Sequence, residues 1–231
     1  MTYRILCDFD GTVTHGDVTD MLLEAFAEPG WQDIEAQWQA GAIGSATCME
    51  RQVALMRCDR QALNAMLDTV RIDVGFLGFA ARCRQLGIPL VIVSDGLDYA
   101  IQRILTRHGI GDLPVIANRL MFLDDERYAM ASPHAVAGCR SAAGTCKCRA
   151  ARSTEEEEQL VLIGDGRSDF CVAETADIVF AKDKLLAYCR LQGIEHVPFE
   201  HFAQLTNFLS MGLEYEPATV TAACERLGVA P

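Results

Sequence analysis

The chain has 231 residues, half of them hydrophobic, enough to bury one large core or two small ones. Its formal charge of −12 sets the surface field against nucleic acid and anionic membranes, so neither is an expected partner. No apolar run reaches the ~18 residues of a membrane span, and the opening Met1-Thr2-Tyr3-Arg4 lacks a signal-peptide layout, so a cytoplasmic location is expected.

Tyr3 to Cys7 reads as a buried strand that ends in Asp8-Phe9-Asp10-Gly11-Thr12. Side chains alternate along a strand, which puts Asp8 and Asp10 on one side and Phe9 on the other. Two like charges there repel unless a cation lies between them or one keeps its proton. From Asp17 to Val70 the apolar spacing is helical, with breaks at Pro29-Gly30 and from Gly41 to Gly44. No strand interrupts it. This predicts a small helical insert, residues 15–73, between the two parts of a core, residues 1–14 and 74–231.

The alternation of strand and helix then resumes. Phe76 to Leu86 is a predicted helix, and Pro89 to Val93 a strand running into Ser94-Asp95-Gly96. Tyr99 to His108 is a helix, Val115 to Asn118 a short strand, and Arg119 to Met130 a hairpin. Ser132 to Cys148 is irregular. Arg149 to Gln159 reads as a polar helix whose Glu155–Glu158 run forms a solvated face. Leu160 to Ile163 is a buried strand into Gly164-Asp165-Gly166. A helix ending over Ala173 to Ala176, a strand at Ile178 to Phe180 and a helix at Leu185 to Leu191 follow. The segment from Phe199 is helical with a break at Pro217. The rhythm argues for an α/β fold, a parallel sheet covered on both faces.

Three apolar strands therefore end in polar clusters: Asp8/Asp10/Thr12, Ser94/Asp95/Gly96 and Asp165/Gly166/Ser168/Asp169. In a parallel sheet such ends converge on one crevice, where ligands bind. Several carboxylates in one place need a hard cation with oxygen ligands, and Mg²⁺ suits them. The hydroxyls of Thr12 and Ser94, with backbone N–H groups nearby, can donate to phosphate oxygens. Lys147, just ahead of a helix, can supply the fixed cation.

The set Asp8-Phe9-Asp10-Gly11-Thr12-Val13-Thr14, Val93-Ser94-Asp95-Gly96, Lys147 and Gly164-Asp165-Gly166-Arg167-Ser168-Asp169 resembles the four motifs of the haloacid dehalogenase (HAD) superfamily. The insert after the first motif resembles the C1 cap of its phosphoserine phosphatase-like members. The resemblance implies a HAD-like Rossmannoid, doubly wound parallel sheet with an inserted α-helical C1 cap. It implies a phosphatase acting on a small phosphorylated metabolite. Asp8 would be the nucleophile, Asp10 the acid and base, and Lys147 the phosphate-holding cation. Thr12, Ser94, Asp95, Gly96 and Lys147 would bind phosphate, and Asp8, Asp10, Asp165 and Asp169 would hold Mg²⁺. In the cap, Asp17 and Arg51 stand where substrate selectivity is set. Asp95 replaces a glycine of the motif.

Within the superfamily, Phe26-Ala27-Glu28-Pro29-Gly30-Trp31, Pro133-His134 with the cysteines up to Cys146-Lys147, and Phe180-Ala181-Lys182-Asp183-Lys184 resemble the 2-hydroxy-3-keto-5-methylthiopentenyl-1-phosphate phosphatases of methionine salvage. Glu50-Arg51-Gln52-Val53 resembles the phosphoserine phosphatases, the alternative reading. A homodimer through apolar cap or C-terminal surface is compatible with the composition. Ten cysteines are scattered along the chain, several of them in apolar periodic stretches. His134, Cys139, Cys146 and Cys148 are close enough in sequence to hold Zn²⁺, to form a disulfide or to remain plain loop thiols. A zinc- or redox-responsive binding protein on the same fold is the non-enzymatic alternative.

Overall fold

The computed structural model describes residues 2–152 and 158–210. Seven strands form one sheet in the order β4-β3-β2-β1-β5-β6-β7. The strands are β1 (Thr2–Cys7), β2 (Leu90–Leu97), β3 (Val115–Phe122), β4 (Tyr128–Ala131), β5 (Glu158–Gly164), β6 (Ile178–Ala181) and β7 (Val197–Pro198). All neighbours pair in parallel except β3 and β4, an antiparallel edge hairpin. The chain builds outward from β1 on one side through β2 and β3, then crosses to the other through β5, β6 and β7. The switch point therefore lies at β1, between β2 and β5.

Side chains alternate between two buried clusters. Ile5, Cys7, Val161, Ile163 and Phe180 face one, where helices α5 (Phe76–Leu86), α6 (Asp98–Arg107) and α10 (Phe202–Ser210) contribute Phe79, Ile104 and Phe202. Leu6, Leu160, Leu162 and Val179 face the other, covered by Val172 of α8 (Phe170–Ala173) and by Leu185 and Cys189 of α9 (Asp183–Gln192). Apolar side chains on both sides of each central strand explain its near-continuous hydrophobic sequence. No helix among the described residues is long and apolar enough to cross a membrane.

Four helices stand between β1 and α5: α1 (Val18–Phe26), α2 (Trp31–Gln39), α3 (Ser45–Val53) and α4 (Arg60–Leu67). Asp17 caps α1 by accepting from the Asp20 N–H at 3.0 Å, and Asp59 caps α4 in the same way through Ala62. The entry and exit of this insert run side by side, with an antiparallel bridge between Thr14 and Ile72.

Besides the short edge strand β7, which the sequence reading does not contain, three elements depart from it. β3 runs unbroken to Phe122, so the hairpin turn falls at 123–127, where Asp124 accepts from the Glu126 and Arg127 N–H groups. The polar helix expected over 149–159 is a four-residue α7 (Lys147–Ala150), and Glu158 already belongs to β5. Glu158 is drawn there by Arg4, whose Nε lies 2.8 Å from its carboxylate. The rest of the glutamate run and Pro217 lie outside the described residues.

Candidate active site

The acids sit where β1 and β5 end. The Asp8 N–H continues the ladder to the Ile163 carbonyl at 2.9 Å. The chain then turns tightly, with the N–H groups of Val13 and Thr14 on the Phe9 carbonyl and Phe9 fully buried beneath. The turn needs Gly11 at φ +72°, a left-handed conformation that favours glycine. A Cβ there would also lie 2.6 Å from Asp165 Oδ2. Beyond β1, then, the backbone of the first loop touches the carboxylate of the last.

Lys147, the first residue of α7, is 3 % exposed, and its Nζ lies 2.7 Å from both Asp8 Oδ1 and Asp169 Oδ1. Burial disfavours its charge, but Asp169 and Asp8 outweigh that and hold the ammonium above its ordinary range. Burial pushes the Asp8 carboxyl well up, Asp169 and Asp165 add to this, and Lys147 pulls against them. One lysine does not neutralise three acids. Asp8, Asp165 and Asp169 each bring an oxygen within 4.8 Å of the others. Such an all-oxygen carboxylate set fits a hard divalent cation.

Asp10 does not join that set with its side chain. Its Oδ1 accepts from the Val18 N–H at 2.9 Å and its Oδ2 from the Ser94 hydroxyl at 3.1 Å. Burial first, then the charge of Asp17, pushes its carboxyl up to about 7. Gly96 lies against the same carboxylate, and a Cβ there would collide with Asp10 Oδ2. Its N–H donates to Ser94 Oγ at 2.9 Å. Thr12 Oγ1 donates to Asp165 Oδ1 at 2.6 Å, and Asp169 Oδ2 accepts the Gly166 N–H at 3.2 Å. Each hydroxyl expected to meet phosphate thus already holds an acid in place.

Asp95 is different from the residues around it. Its Oδ1 accepts from Asn118 Nδ2 (3.0 Å) and the Thr145 N–H (2.9 Å), and its Oδ2 from the Ser45 hydroxyl (2.6 Å). A carboxylate has no proton to give a phosphate, so its side chain does not serve as the phosphate donor expected from the motif. It ties helix α3 of the insert to β3 and to the loop before Lys147.

A cavity of about 400 Å³ opens from these acids into the insert, lined among others by Asp17, Glu35, Trp38, Ser45, Met49 and Arg167. Asp17 lines it as expected; Arg51 does not. The cavity-facing positions of α3 are 45, 48, 49 and 52, one helical stripe, and Arg51 falls off that stripe into solvent. The cations that do reach the cavity, Arg167 and Lys184, come from the core. Arg167 lies 5.6 Å above the Trp38 ring. Neither is singled out from sequence as a site residue, although Arg167 and Lys184 both lie within quoted motifs. Lys182, two residues before Lys184, donates to the Thr12 carbonyl at 3.1 Å and braces the first loop.

A doubly wound sheet that gathers three acids and a buried lysine at its switch point defines an α/β enzyme with an acid-lined ligand crevice. Residues 5–174 match the haloacid dehalogenase-like hydrolases, and the chain belongs to that family. A 2-hydroxy-3-keto-5-methylthiopentenyl-1-phosphate phosphatase of Bacillus velezensis is 31% identical over 208 residues, 88% of each chain. The enzyme of the same name from Exiguobacterium sibiricum is 32% identical over 214 residues, 90% of this chain and 97% of its own. Among solved structures, a HAD family hydrolase from Salmonella enterica serovar Typhi superposes with a TM-score of 0.69 at 20% identity, over 91% of this chain and 72% of that one. A phosphoserine phosphatase solved as a phospho-aspartyl intermediate analogue gives 0.62 at 16% identity, over 91% and 99%.

Proposed function

We propose that this phosphatase cleaves a small phosphomonoester by transferring the phosphoryl group first to Asp8 and then to water. The observation that carries the reading is Lys147 Nζ at 2.7 Å from both Asp8 and Asp169, inside the acid cluster. An Asp8 oxygen attacks phosphorus in line as the bond to the leaving oxygen breaks, so one hard displacement becomes two easier ones. Asp10, held near pH 7 by its surroundings, gives its proton to that oxygen. It then takes a proton from the water that attacks the aspartyl-phosphate, which releases inorganic phosphate and restores Asp8.

Lys147 holds the transferring group's oxygens as charge builds on them. Asp169 aims the lysine, and Thr12 aims Asp165. The residues that would hold Mg²⁺ are Asp8, Asp165, Asp169 and the Asp10 backbone carbonyl; when bound, the ion supplies further positive charge to the phosphoryl oxygens. Residues 15–73 act as the cap, closing Trp38, Met49 and Ser45 over the rest of the substrate.

For the substrate, the reading is the 2-hydroxy-3-keto-5-methylthiopentenyl-1-phosphate of the relatives named above. Trp38, Cys48 and Met49 offer a thioether soft, apolar contacts. Phosphoserine carries a carboxylate, and the cap residue assigned to receive it, Arg51, faces away from the cavity. The test is phosphate release across phosphorylated metabolites, scored as kcat/KM. The methylthio ester should exceed phosphoserine by at least about a hundredfold, the scale of a buried polar mismatch. A preference for phosphoserine would overturn this assignment while leaving the chemistry intact.

A further inference from the structure

A second cavity shares no lining residue with the one at the acids. Cys139, Cys146, Cys148 and Cys171 line this surface cavity of about 720 Å³ together with Arg140, Arg149 and Arg152. The first three come from the irregular loop and first turn of α7. Cys171 comes from α8, 23 residues beyond Cys148. Cys148 Sγ lies 2.7 Å from Cys171 Sγ, and Cys139 Sγ lies 3.4 Å from the Ser141 hydroxyl. His134 does not line this cavity; its carbonyl accepts the Cys146 N–H instead. The structure thus replaces the histidine of the sequence reading with a cysteine that no local spacing reveals.

We propose that these four thiols form a binding site for a thiophilic metal ion, Zn²⁺ by preference, separate from the acid cluster. Four soft sulfur donors from two segments are the donor set that tetrahedral structural zinc takes. Four thiolates around Zn²⁺ carry a net double negative charge, and Arg149 and Arg152 line the same cavity to offset it, while Arg140 is paired with Glu174 at 2.6 Å. Among the described residues the acids alone bring three ligand atoms within 4.8 Å, so the ion must draw Cys139 and Cys146 toward Cys148 and Cys171 and part those two from 2.7 Å to the wider spacing of neighbouring tetrahedral ligands. Cys139 lies in irregular backbone, and Cys146 and Cys148 flank the start of a four-residue helix, so little regular structure resists that movement.

The consequence follows from where the ligands sit. Cys146 and Cys148 flank Lys147, and Cys171 follows Asp169 by two residues. A shared ion would pin the lysine-bearing turn to the helix behind Asp169 and so set the lysine's reach from behind. The site needs no phosphatase reading to exist.

The test is metal content of the full chain purified under reductant and dialysed against EDTA. One zinc per chain should survive. Cobalt(II) added to protein freed of that zinc by unfolding in reductant and chelator and then refolded should give the thiolate-to-cobalt charge-transfer band and the intense visible bands of a tetrahedral site. Asp165→Asn should keep the zinc, and Cys148→Ser/Cys171→Ser should lose it. Should that variant fail to fold, the wild-type cobalt spectrum still decides. Absence of retained zinc and of cobalt–thiolate bands would overturn the proposal. So would a non-reduced mass lower by two hydrogens per pair, with Cys139–Cys146 or Cys148–Cys171 peptides joined, because those thiols would be spent in disulfides.

Discussion

Asp95→Ala offers the most informative perturbation of the frame around the site. The substitution removes the acceptor of the Thr145 N–H at 2.9 Å and of the Ser45 hydroxyl at 2.6 Å. Asn118 Nδ2 keeps the Asp95 carbonyl at 2.6 Å, so it is not orphaned. Thr145 is 1 % exposed, so its N–H depends on this partner. An unpaired buried N–H costs about 1–3 kcal/mol, and the bond to Ser45 adds about 1 kcal/mol. The sum, about 2–4 kcal/mol, lowers the unfolding midpoint of a chain this size by about 4–16 °C. Asp95→Asn behaves differently. Its amide oxygen can face Thr145 and Asn118 while its NH₂ donates to the Ser45 oxygen, since a hydroxyl accepts as readily as it donates. That variant should unfold within about 4 °C of the wild type. Thermal unfolding followed by circular dichroism reads both. A wild-type midpoint for Asp95→Ala, or an equal loss in Asp95→Asn, would refute the hydrogen-bond account.

Other consequences follow from the same geometry. Gly11→Ala forces a Cβ to 2.6 Å from Asp165 Oδ2 at φ +72°, so phosphate release should fall at least about tenfold, through the misplaced carboxylate, while circular dichroism stays unchanged. Arg51→Ala should leave kcat and KM within about twofold of wild type, as befits an exposed surface change. Arg167→Ala, at the cavity wall over Trp38, should raise KM; the reverse ranking of these two variants would restore the cap arginine as a substrate contact. EDTA should silence phosphate release and Mg²⁺ restore it, since the three acids need a hard cation. Unimpaired turnover after chelation would contradict that.

Much of the frame was readable because local signals agreed with the tertiary outcome. β1, β2 and β5 declared themselves as apolar runs ending in acid or hydroxyl clusters, and Pro29-Gly30 and Gly41–Gly44 marked the joints between α1, α2 and α3. Other features depended on distant partners. Glu158 sits in a strand because β5 pairs with β1 from Thr2 onward and Arg4 holds its carboxylate. A run of glutamates gives no hint of that. Asp95 is bonded to residues 23 and 50 positions away, so its motif position suggested phosphate where the fold uses it as a tether. Arg51 was misread because helical spacing gives a face but not which face meets the site. Cys171 was missed for the same reason as Asp95: its partner Cys148 lies in another segment.

The central claim is that the Asp8 carboxylate becomes phosphorylated in each turnover. It is tested most directly by quenching the enzyme in acid during turnover of a phosphomonoester and mapping the peptides by mass. The account predicts one phosphoryl increment on the peptide that carries Asp8, labile to hydroxylamine and absent from Asp8→Asn. An increment on another residue, or phosphate release that persists in Asp8→Asn, would contradict it.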